Sequence, residues 1–322
     1  MRLLLRGSKQ LEFQDGALPA PLPEDEVRLR VHYCAVCRTD AKMWAEGHRD
    51  LILPRVPGHE MVAEDQQGTL HAVWPGASCG VCSQCLAGRE NRCEHLHIIG
   101  FHRDGGFAQQ VDVPKSSLTP LPEGLDPTVA CFAEPVGCIF HALNNHLIEK
   151  DVRFLIYGGG TMGLLAGLVA GAAGAEPRIV EKNADKIKTA RAFLDAAQIP
   201  CSTDTKDSGF DAVLNACPDP HAFGAGLTKL KKGGNFVFFS GLVADTAMES
   251  SRINQIHYHE ISLTGSYGLA PADIKKAVSF LAAQQEKIKP LIQAVEKPDK
   301  APGLMPRVLS GKDFKYILDF TA

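Results

Sequence analysis

Four cysteines lie within fifteen residues, in the segment CGVCSQCLAGRENRC at positions 79–93. Such a cluster can form disulfides, a redox couple or a metal site. The N-terminal sequence MRLLLRGSKQ has only three consecutive leucines before Arg6, far fewer than the apolar core of a secretion signal requires. We therefore expect a cytoplasmic protein, in which structural disulfides are rare and a metal site is favoured.

The spacing of these cysteines favours zinc. Four thiolates in the pattern C-x2-C-x2-C-x7-C can surround zinc tetrahedrally, and an all-cysteine set of ligands has no position open to a substrate. The sequence therefore predicts a structural zinc site, in a loop with too few apolar residues to fold alone. Its predicted ligands are Cys79, Cys82, Cys85 and Cys93.

The segment YGGGTMG carries a second chemical motif. Gly158, Gly160 and Gly163 occupy the glycine positions of G-x-G-x-x-G between a strand-like run and a helical run, the context typical of a dinucleotide site. The first glycine permits the tight turn, the second lets the backbone approach a pyrophosphate, and the third lets the helix pack on the strand. The helix would begin at Thr161 and Met162 and offer free N–H groups to the phosphates.

An acidic residue is expected about twenty positions after the glycine turn. Glu181, eighteen residues beyond Gly163, ends the strand-like run RIVE. A carboxylate there accepts hydrogen bonds from ribose hydroxyls and repels a 2′-phosphate, which favours NAD over NADP. Lys186, Lys182 and Arg178 are close in sequence and soften this preference, so NADP stays possible.

The elements that would position these motifs change in character along the chain. The first third contains short strand-like runs, including residues 27–33 and 105–114. After about residue 137, the strand-like runs RFLIY, PRIV, FDAVLNA and NFVFFSG alternate with helical patterns, which predicts a parallel sheet flanked by helices. The uncharged stretch 154–175 is long enough to cross a membrane, but its seven glycines indicate a buried strand, turn and helix instead. The segment ADIKKAVSFLAAQQEKIKPLI is expected to open as an amphipathic helix and to end in an irregular, lysine-rich stretch.

The composition excludes some classes of protein. A chain of 322 residues with 45% hydrophobic residues can form about two domains with large cores. The net charge is −3 and no long basic run occurs, which disfavours a nucleic-acid partner, including one bound by a zinc ribbon. No membrane partner is expected either.

Three further motifs, CRTD at 37–40, GHE at 58–60 and AEP at 133–135, are weak individually. In this order, with the cysteine cluster and the glycine turn, they resemble the zinc-dependent medium-chain dehydrogenase/reductase family over essentially the whole chain. The similarity is closest to the branch of sorbitol and other polyol dehydrogenases and threonine dehydrogenase. The stretches LTGSYGLAPADIKKAV and KDFKYILDF also resemble that branch.

The resemblance implies an α/β protein of two domains. A GroES-like, β-rich catalytic domain would comprise residues 1–136 and 268–322. A doubly wound Rossmann domain that binds NAD would comprise residues 137–267. Relatives commonly form dimers or tetramers, so we expect a homodimer or homotetramer, and the segment NFVFFSG could extend a sheet across the interface.

The resemblance also implies a second, catalytic zinc site. Cys37, His59 and Glu134 match its ligands, and Glu60 matches a carboxylate that binds the zinc directly or holds its water. Three protein ligands would leave one coordination position open for the oxygen of an alcohol or carbonyl substrate.

The motif that contains Cys37 supplies three more expected site residues. Thr39 matches a hydroxyl that bonds the substrate oxygen, and Asp40 matches a buried partner of the zinc ligands. Lys42 stands where many family members have a histidine that relays the proton to solvent. Three interpretations of Lys42 are open: a relay, a group that binds an acidic part of the substrate, or a residue that faces solvent.

These features predict reversible, NAD-linked oxidation of a secondary hydroxyl on a small polar molecule, such as a polyol, sugar or amino alcohol. One alternative is an NADPH-linked carbonyl reductase in a biosynthetic pathway. Another is a non-catalytic protein that binds NAD and zinc.

Overall fold

A computed structural model of the protein describes residues 1–16, 21–143, 148–243 and 247–321. The strands in this part of the chain are β1 (Arg2–Gly7), β2 (Gln10–Gln14), β3 (Glu26–Ala35), β4 (Glu60–Glu64), β5 (Leu70–Val73), β6 (Gly76–Ala77), β7 (His97–Ile98), β8 (Gln110–Pro114), β9 (Leu118–Pro120), β10 (Arg153–Tyr157), β11 (Glu176–Val180), β12 (Cys201–Ser202), β13 (Phe210–Asn215), β14 (Leu230–Phe238), β15 (Ser262–Gly265), β16 (Ile292–Glu296) and β17 (Lys315–Asp319).

The α-helices of the same residues are α1 (Arg38–Glu46), α2 (Ser83–Leu86), α3 (Pro127–Ala130), α4 (Ala133–Leu143), α5 (Thr161–Ala172), α6 (Ala184–Thr189), α7 (Arg191–Ala197), α8 (Pro220–Lys229), α9 (Ser250–Tyr258), α10 (Pro271–Ile288) and α11 (Ala301–Ser310). Among them, none is both long and apolar enough to cross a membrane.

One compact unit comprises Met1–Gly137 and Leu269–Ala322. Its largest sheet has the strand order β16-β17-β3-β4-β5-β9, and β8 also pairs with β3. The predicted strand at 27–33 is confirmed as part of β3, whose alternate residues Leu29 and Val31 are buried in the core. The unit is rich in antiparallel pairs, as expected for the β-rich domain.

The strand predicted over residues 105–114 is only half correct, because β8 begins at Gln110. The N–H of Gly105 bonds to Val56 O, and the N–H of Gly106 bonds to Gly58 O. A Cβ atom on Gly105 would lie 2.2 Å from the carbonyl oxygen of Gly58. The two glycines therefore allow close backbone packing against the GHE segment, which a regular strand with side chains could not make.

The second compact unit is Cys138–Gly268, and both boundaries lie one residue beyond the predicted positions. Its six strands are all parallel, in the order β12-β11-β10-β13-β14-β15. The order reverses beside the first strand, which defines the predicted doubly wound sheet. The stretch 154–175 forms β10, a glycine turn and α5, as predicted.

The segment predicted to end in an irregular stretch is more regular than expected, because α10 continues to Ile288 and a short 3-10 turn, Lys289–Leu291, follows it. The rest of the C-terminal tail forms β16, α11 and β17, and β17 inserts between β16 and β3. Pro302 lies in the first turn of α11, where proline is tolerated, but Pro306 lies inside the helix, where proline normally opposes helix formation. The helix is stabilised by tertiary packing, because Leu304, Met305 and Val308 are buried.

Candidate active site

The four clustered cysteines surround a common centre. All four sulfur atoms lie within 4.8 Å of one another, and the Cys82–Cys85 and Cys79–Cys93 sulfur pairs are each 3.5 Å apart. All four are free thiols. Sulfurs placed tetrahedrally at 2.3 Å from zinc are about 3.8 Å apart, so the cluster has the size of a zinc site.

The loop that carries these thiols has little apolar support. Val81 and Leu86 are each 77% exposed, so they form no core beneath it. Hydrogen bonds from the backbone N–H groups of Cys85 and Glu94 lower the pKa of the Cys82 thiol to about 6. A stabilised thiolate is the form that binds zinc, and a bound ion would substitute for the missing core.

Strand pairing brings the catalytic motifs together. β3 and β4 are antiparallel, with Ala35 opposite Glu60. The residues that follow β3 and those that precede β4 therefore lie at the same end of the sheet. As a result, ligand atoms of Cys37, His59 and Glu60 lie within 4.8 Å of one another. His59 and Glu60 are buried and Cys37 is half-buried.

Asp40 connects the two motifs. Its fully buried carboxylate accepts hydrogen bonds from the N–H groups of Cys37 at 2.9 Å and Gly58 at 3.2 Å. The same carboxylate lies 3.3 Å from Nδ1 of His59, an electrostatic contact without the alignment of a hydrogen bond. Asp40 thus holds both motifs in place.

The electrostatics at His59 favour a cation. Burial disfavours the charged imidazole, but the negative charges of Asp40 and Cys37 outweigh it, and the pKa of His59 is raised well above its ordinary value. The donor set of thiolate, imidazole and carboxylate is one that zinc prefers. The residues present therefore fit a zinc ion.

Glu60 has a partner that sequence analysis missed. Lys315, at the start of β17, donates to both carboxylate oxygens of Glu60, at 2.8 and 2.6 Å, and both side chains are buried. Burial opposes charge on Lys315, but Glu60, Cys37 and Glu134 outweigh it and raise the pKa of the ammonium. In the sequence, the feature that could have indicated this partner is a lysine, a charged residue, at the start of the otherwise apolar run KYILDF.

Glu134 lies in the first turn of α4 and is half-buried. It is near enough to Lys315 to raise the pKa of that ammonium, but it does not belong to the group of ligand atoms within 4.8 Å. The structure therefore brings three of the four predicted ligands together and places the fourth beside them. The role of Glu134 as a ligand stays a prediction.

Helix α1 begins at the site. Cys37 is its N-terminal cap, and the N–H of Thr39 donates to the Cys37 sulfur at 3.4 Å. Thr39 is half-buried next to the cluster, as its predicted role requires. Lys42 lies three residues further, one turn along the same face of the helix, and is also half-buried.

The glycine turn has the geometry of a dinucleotide site. Gly158 has φ +109°, a conformation that favours glycine, and a Cβ on Gly163 would lie 1.8 Å from the Gly158 oxygen. A Cβ on Gly160 would meet only the flexible end of Lys186, at 3.3 Å. A phosphate could approach the backbone at Gly160 and bind the free N–H groups of the first helical turn, at Thr161 and Met162.

Glu181 lies directly over this turn. Its carboxylate accepts hydrogen bonds from the N–H groups of Gly159 and Asn183, each at 2.9 Å. Lys186 lies 3.8 Å from it, with most of both side chains buried. The predicted acidic residue and one of the predicted lysines thus meet at the coenzyme turn.

Two family models match the chain. The model of the alcohol dehydrogenase GroES-like domain matches residues 23–123, and that of the zinc-binding dehydrogenases matches residues 161–283. Together they span more than half of the sequence. The protein belongs to the zinc-dependent medium-chain dehydrogenase/reductase family and is an oxidoreductase, which confirms the resemblance.

Individual relatives agree with this assignment. L-galactonate-5-dehydrogenase of Escherichia coli is 27% identical, over 87% of this chain and 86% of its own. Sorbitol dehydrogenase of Halalkalibacterium halodurans is 29% identical, over 93% of each chain. A crystal structure from Sinorhizobium meliloti, described as a zinc-binding dehydrogenase bound to NADP, is 25% identical with a TM-score of 0.88, over 99% of this chain and 98% of that one.

Proposed function

We propose that the protein catalyses reversible transfer of a hydride between NAD(H) and the secondary hydroxyl or carbonyl of a small polar substrate. The observation that carries this proposal is the meeting of Cys37, His59 and Glu60, held by Asp40, in a chain that also builds a dinucleotide turn. The named relatives act on a sugar acid and a polyol, which supports a substrate rich in hydroxyl groups.

Cys37, His59 and Glu134 are the proposed ligands of a catalytic zinc, with Glu60 next to them. A zinc ion bound there would supply Lewis-acid polarisation of the substrate oxygen. Thr39 would hydrogen-bond that oxygen and take part in moving its proton. Lys315 occupies both oxygens of Glu60, so the pair would hold Glu60 beside the metal rather than on it.

The four clustered cysteines are proposed to hold a separate, structural zinc. Because they would fill all four positions, this site could not bind a substrate. The same thiols must stay reduced, which supports the proposal of a cytoplasmic location.

The glycine turn and Glu181 are proposed to bind NAD, with the carboxylate on the adenosine ribose. NADP is the alternative, supported by Lys186 near Glu181 and by the NADP-bound relative. Comparison of kcat/KM with the two coenzymes decides between them: at least a tenfold preference for NADP would refute the assigned role of Glu181. An NADPH-linked carbonyl reductase is the second candidate function on the same grounds.

A homo-oligomer is also proposed, but through a different strand from the one predicted. β14, which contains most of NFVFFSG, is paired on both sides by β13 and β15, so it cannot extend the sheet. The edge strand next to β14 is β15, where Leu263 is 44% exposed, with Tyr267 just beyond it 60% exposed. An exposed edge with apolar side chains favours pairing with a second copy.

The decisive experiment measures zinc per chain and alcohol oxidation for the wild type, Cys37→Ser and the control Cys201→Ser. We expect two zinc ions in the wild type, about one in Cys37→Ser with loss of turnover, and two in the control. Cys201 is half-buried and lies outside both clusters. One zinc in all three proteins, after purification with excess zinc, would contradict the catalytic site.

A further inference from the structure

Lys42 carries a charge that the surrounding side chains do not neutralise. It is half-buried on α1, and no carboxylate among the described residues pairs with it. Glu46, one turn along the helix, forms no ion pair with it. Asp50 instead faces Arg49 at 3.4 Å and His48 at 3.7 Å. A half-buried ammonium without a partner is a ready binding group for an anion.

Two histidines of this region, His48 near Lys42 and His102 near His48, have Nε2 as their donor nitrogen. Nδ1 of His48 accepts the N–H of Asp50 at 3.2 Å, and Nδ1 of His102 accepts the N–H of Ile98 at 3.0 Å. A neutral imidazole whose Nδ1 accepts must carry its proton on Nε2. Burial is the main cause that lowers the pKa of both histidines, so they are neutral donors near pH 7.

This group of residues adjoins the predicted zinc ligands. The ring of Phe101 contacts both His48, at 5.4 Å between centroids, and His59, at 5.5 Å. His48 and Lys42 are close enough for the ammonium to lower the pKa of the imidazole. On α1, the Cβ atoms of Lys42 and Thr39 are about 5–6 Å apart, as for any pair three residues apart on a helix.

We propose that Lys42, aided by His48 and His102, binds a carboxylate of the substrate, so that the protein oxidises hydroxy acids in preference to neutral alcohols. This inference rests on the proposed function and narrows its substrate class. With one unpaired positive charge and two neutral donors, the group suits a single negative charge. The carboxylate would lie a few bonds from the hydroxyl that Thr39 contacts, within the reach of a lysine side chain.

The test uses matched substrates and three variants. The pairs are gluconate with sorbitol, and 3-hydroxybutyrate with 1,3-butanediol, in which a CH₂OH group replaces the carboxylate. We expect the wild type to prefer the acid of each pair. Lys42→Met should lower kcat/KM for the acid about 10- to 100-fold more than for the alcohol, mainly through KM. Lys42→Arg should retain most of the preference, and the exposed control Lys275→Met all of it.

A binding measurement gives a readout independent of turnover. Gluconate is titrated calorimetrically into the zinc-loaded protein with NADH, where no oxidation can occur. The dissociation constant should rise in Lys42→Met by a similar factor and should rise with salt in the wild type. Zinc content must stay at the wild-type value in each variant.

Two results would overturn the inference. Equal rates for acid and alcohol, with gluconate binding unchanged in Lys42→Met, would show that Lys42 binds no carboxylate. An equal loss with both substrates and an altered pH–rate profile would identify Lys42 as a proton relay instead. If the proposed function itself is wrong, no substrate will be oxidised with either coenzyme. The gluconate titration would still test whether Lys42 binds a carboxylate.

Discussion

Replacing Lys315 with methionine should reveal the cost of leaving Glu60 without its partner. Both side chains are buried and two hydrogen bonds of 2.6 and 2.8 Å join them. Methionine keeps the length and apolar stem but removes the charge. Loss of one partner of a buried ion pair typically costs about 3–5 kcal/mol, because the other charge stays desolvated. We expect a loss of this size in the free energy of unfolding of the zinc-free protein, measured with urea.

Zinc should restore part of this loss, because the freed carboxylate can then bind the metal. If about half of a loss of about 4 kcal/mol is regained, the catalytic zinc of Lys315→Met binds about 30-fold more tightly than in the wild type. Competition with a chromophoric chelator measures this affinity directly. The four-cysteine site, which Lys315 does not contact, should keep its wild-type affinity.

Two further variants serve as controls for the buried ion pair. In Lys315→Met/Glu60→Gln the buried charge is gone, so the double variant should be more stable than Lys315→Met alone. Lys289 forms an equally short but exposed pair with Glu286, and Lys289→Met should cost less than about 1 kcal/mol. A loss of under about 1 kcal/mol in Lys315→Met, or no recovery in the double variant, would show that the ion pair does not carry this energy.

Three further changes test other parts of the structure. Gly163→Ala should destabilise the protein by about 1–3 kcal/mol and weaken NAD binding, because the new Cβ would lie 1.8 Å from a backbone oxygen. The control Gly303→Ala, in a helix with open space around it, should be neutral or slightly stabilising in thermal unfolding. Cys85→Ser should remove one zinc per chain and make its loop sensitive to proteolysis, unlike Cys201→Ser; full zinc content would contradict the structural site. Asp40→Asn should weaken the catalytic zinc about 10- to 100-fold in chelator competition, and an unchanged affinity would exclude its supporting role.

The features that sequence alone determined are those built by neighbouring residues. Fifteen residues of chain confine Cys79 and Cys93 to one small loop, so their spacing indicates a metal site before any fold is known. The glycine turn is equally local, since Gly158 and Gly163 contact each other within a single turn of backbone. Four of the six strands of the parallel sheet, β10, β11, β13 and β14, were also predicted, because buried strands appear as short continuous apolar runs. The short strands β12 and β15 were not.

The catalytic cluster depends on contacts between distant parts of the chain. Cys37 and Glu60 meet through the register of β3 and β4, and Lys315 reaches Glu60 from 255 residues away. The spacing of motifs does not determine the register of strands. Only the resemblance to a family therefore indicated Cys37 and Glu60, and no motif indicated Lys315.

The tail shows the same limit. Helix α11 forms despite Pro306 because its apolar face packs on the core, and β17 is stabilised by pairing with β3. His48 and His102 likewise belong to no motif and come close to each other only in the folded chain. Local spacing therefore indicated the four-cysteine cluster and the glycine turn. Tertiary packing decided that Cys37, His59 and Glu60 meet and that Lys315 pairs with Glu60, because these contacts exist only once distant strands have been brought together.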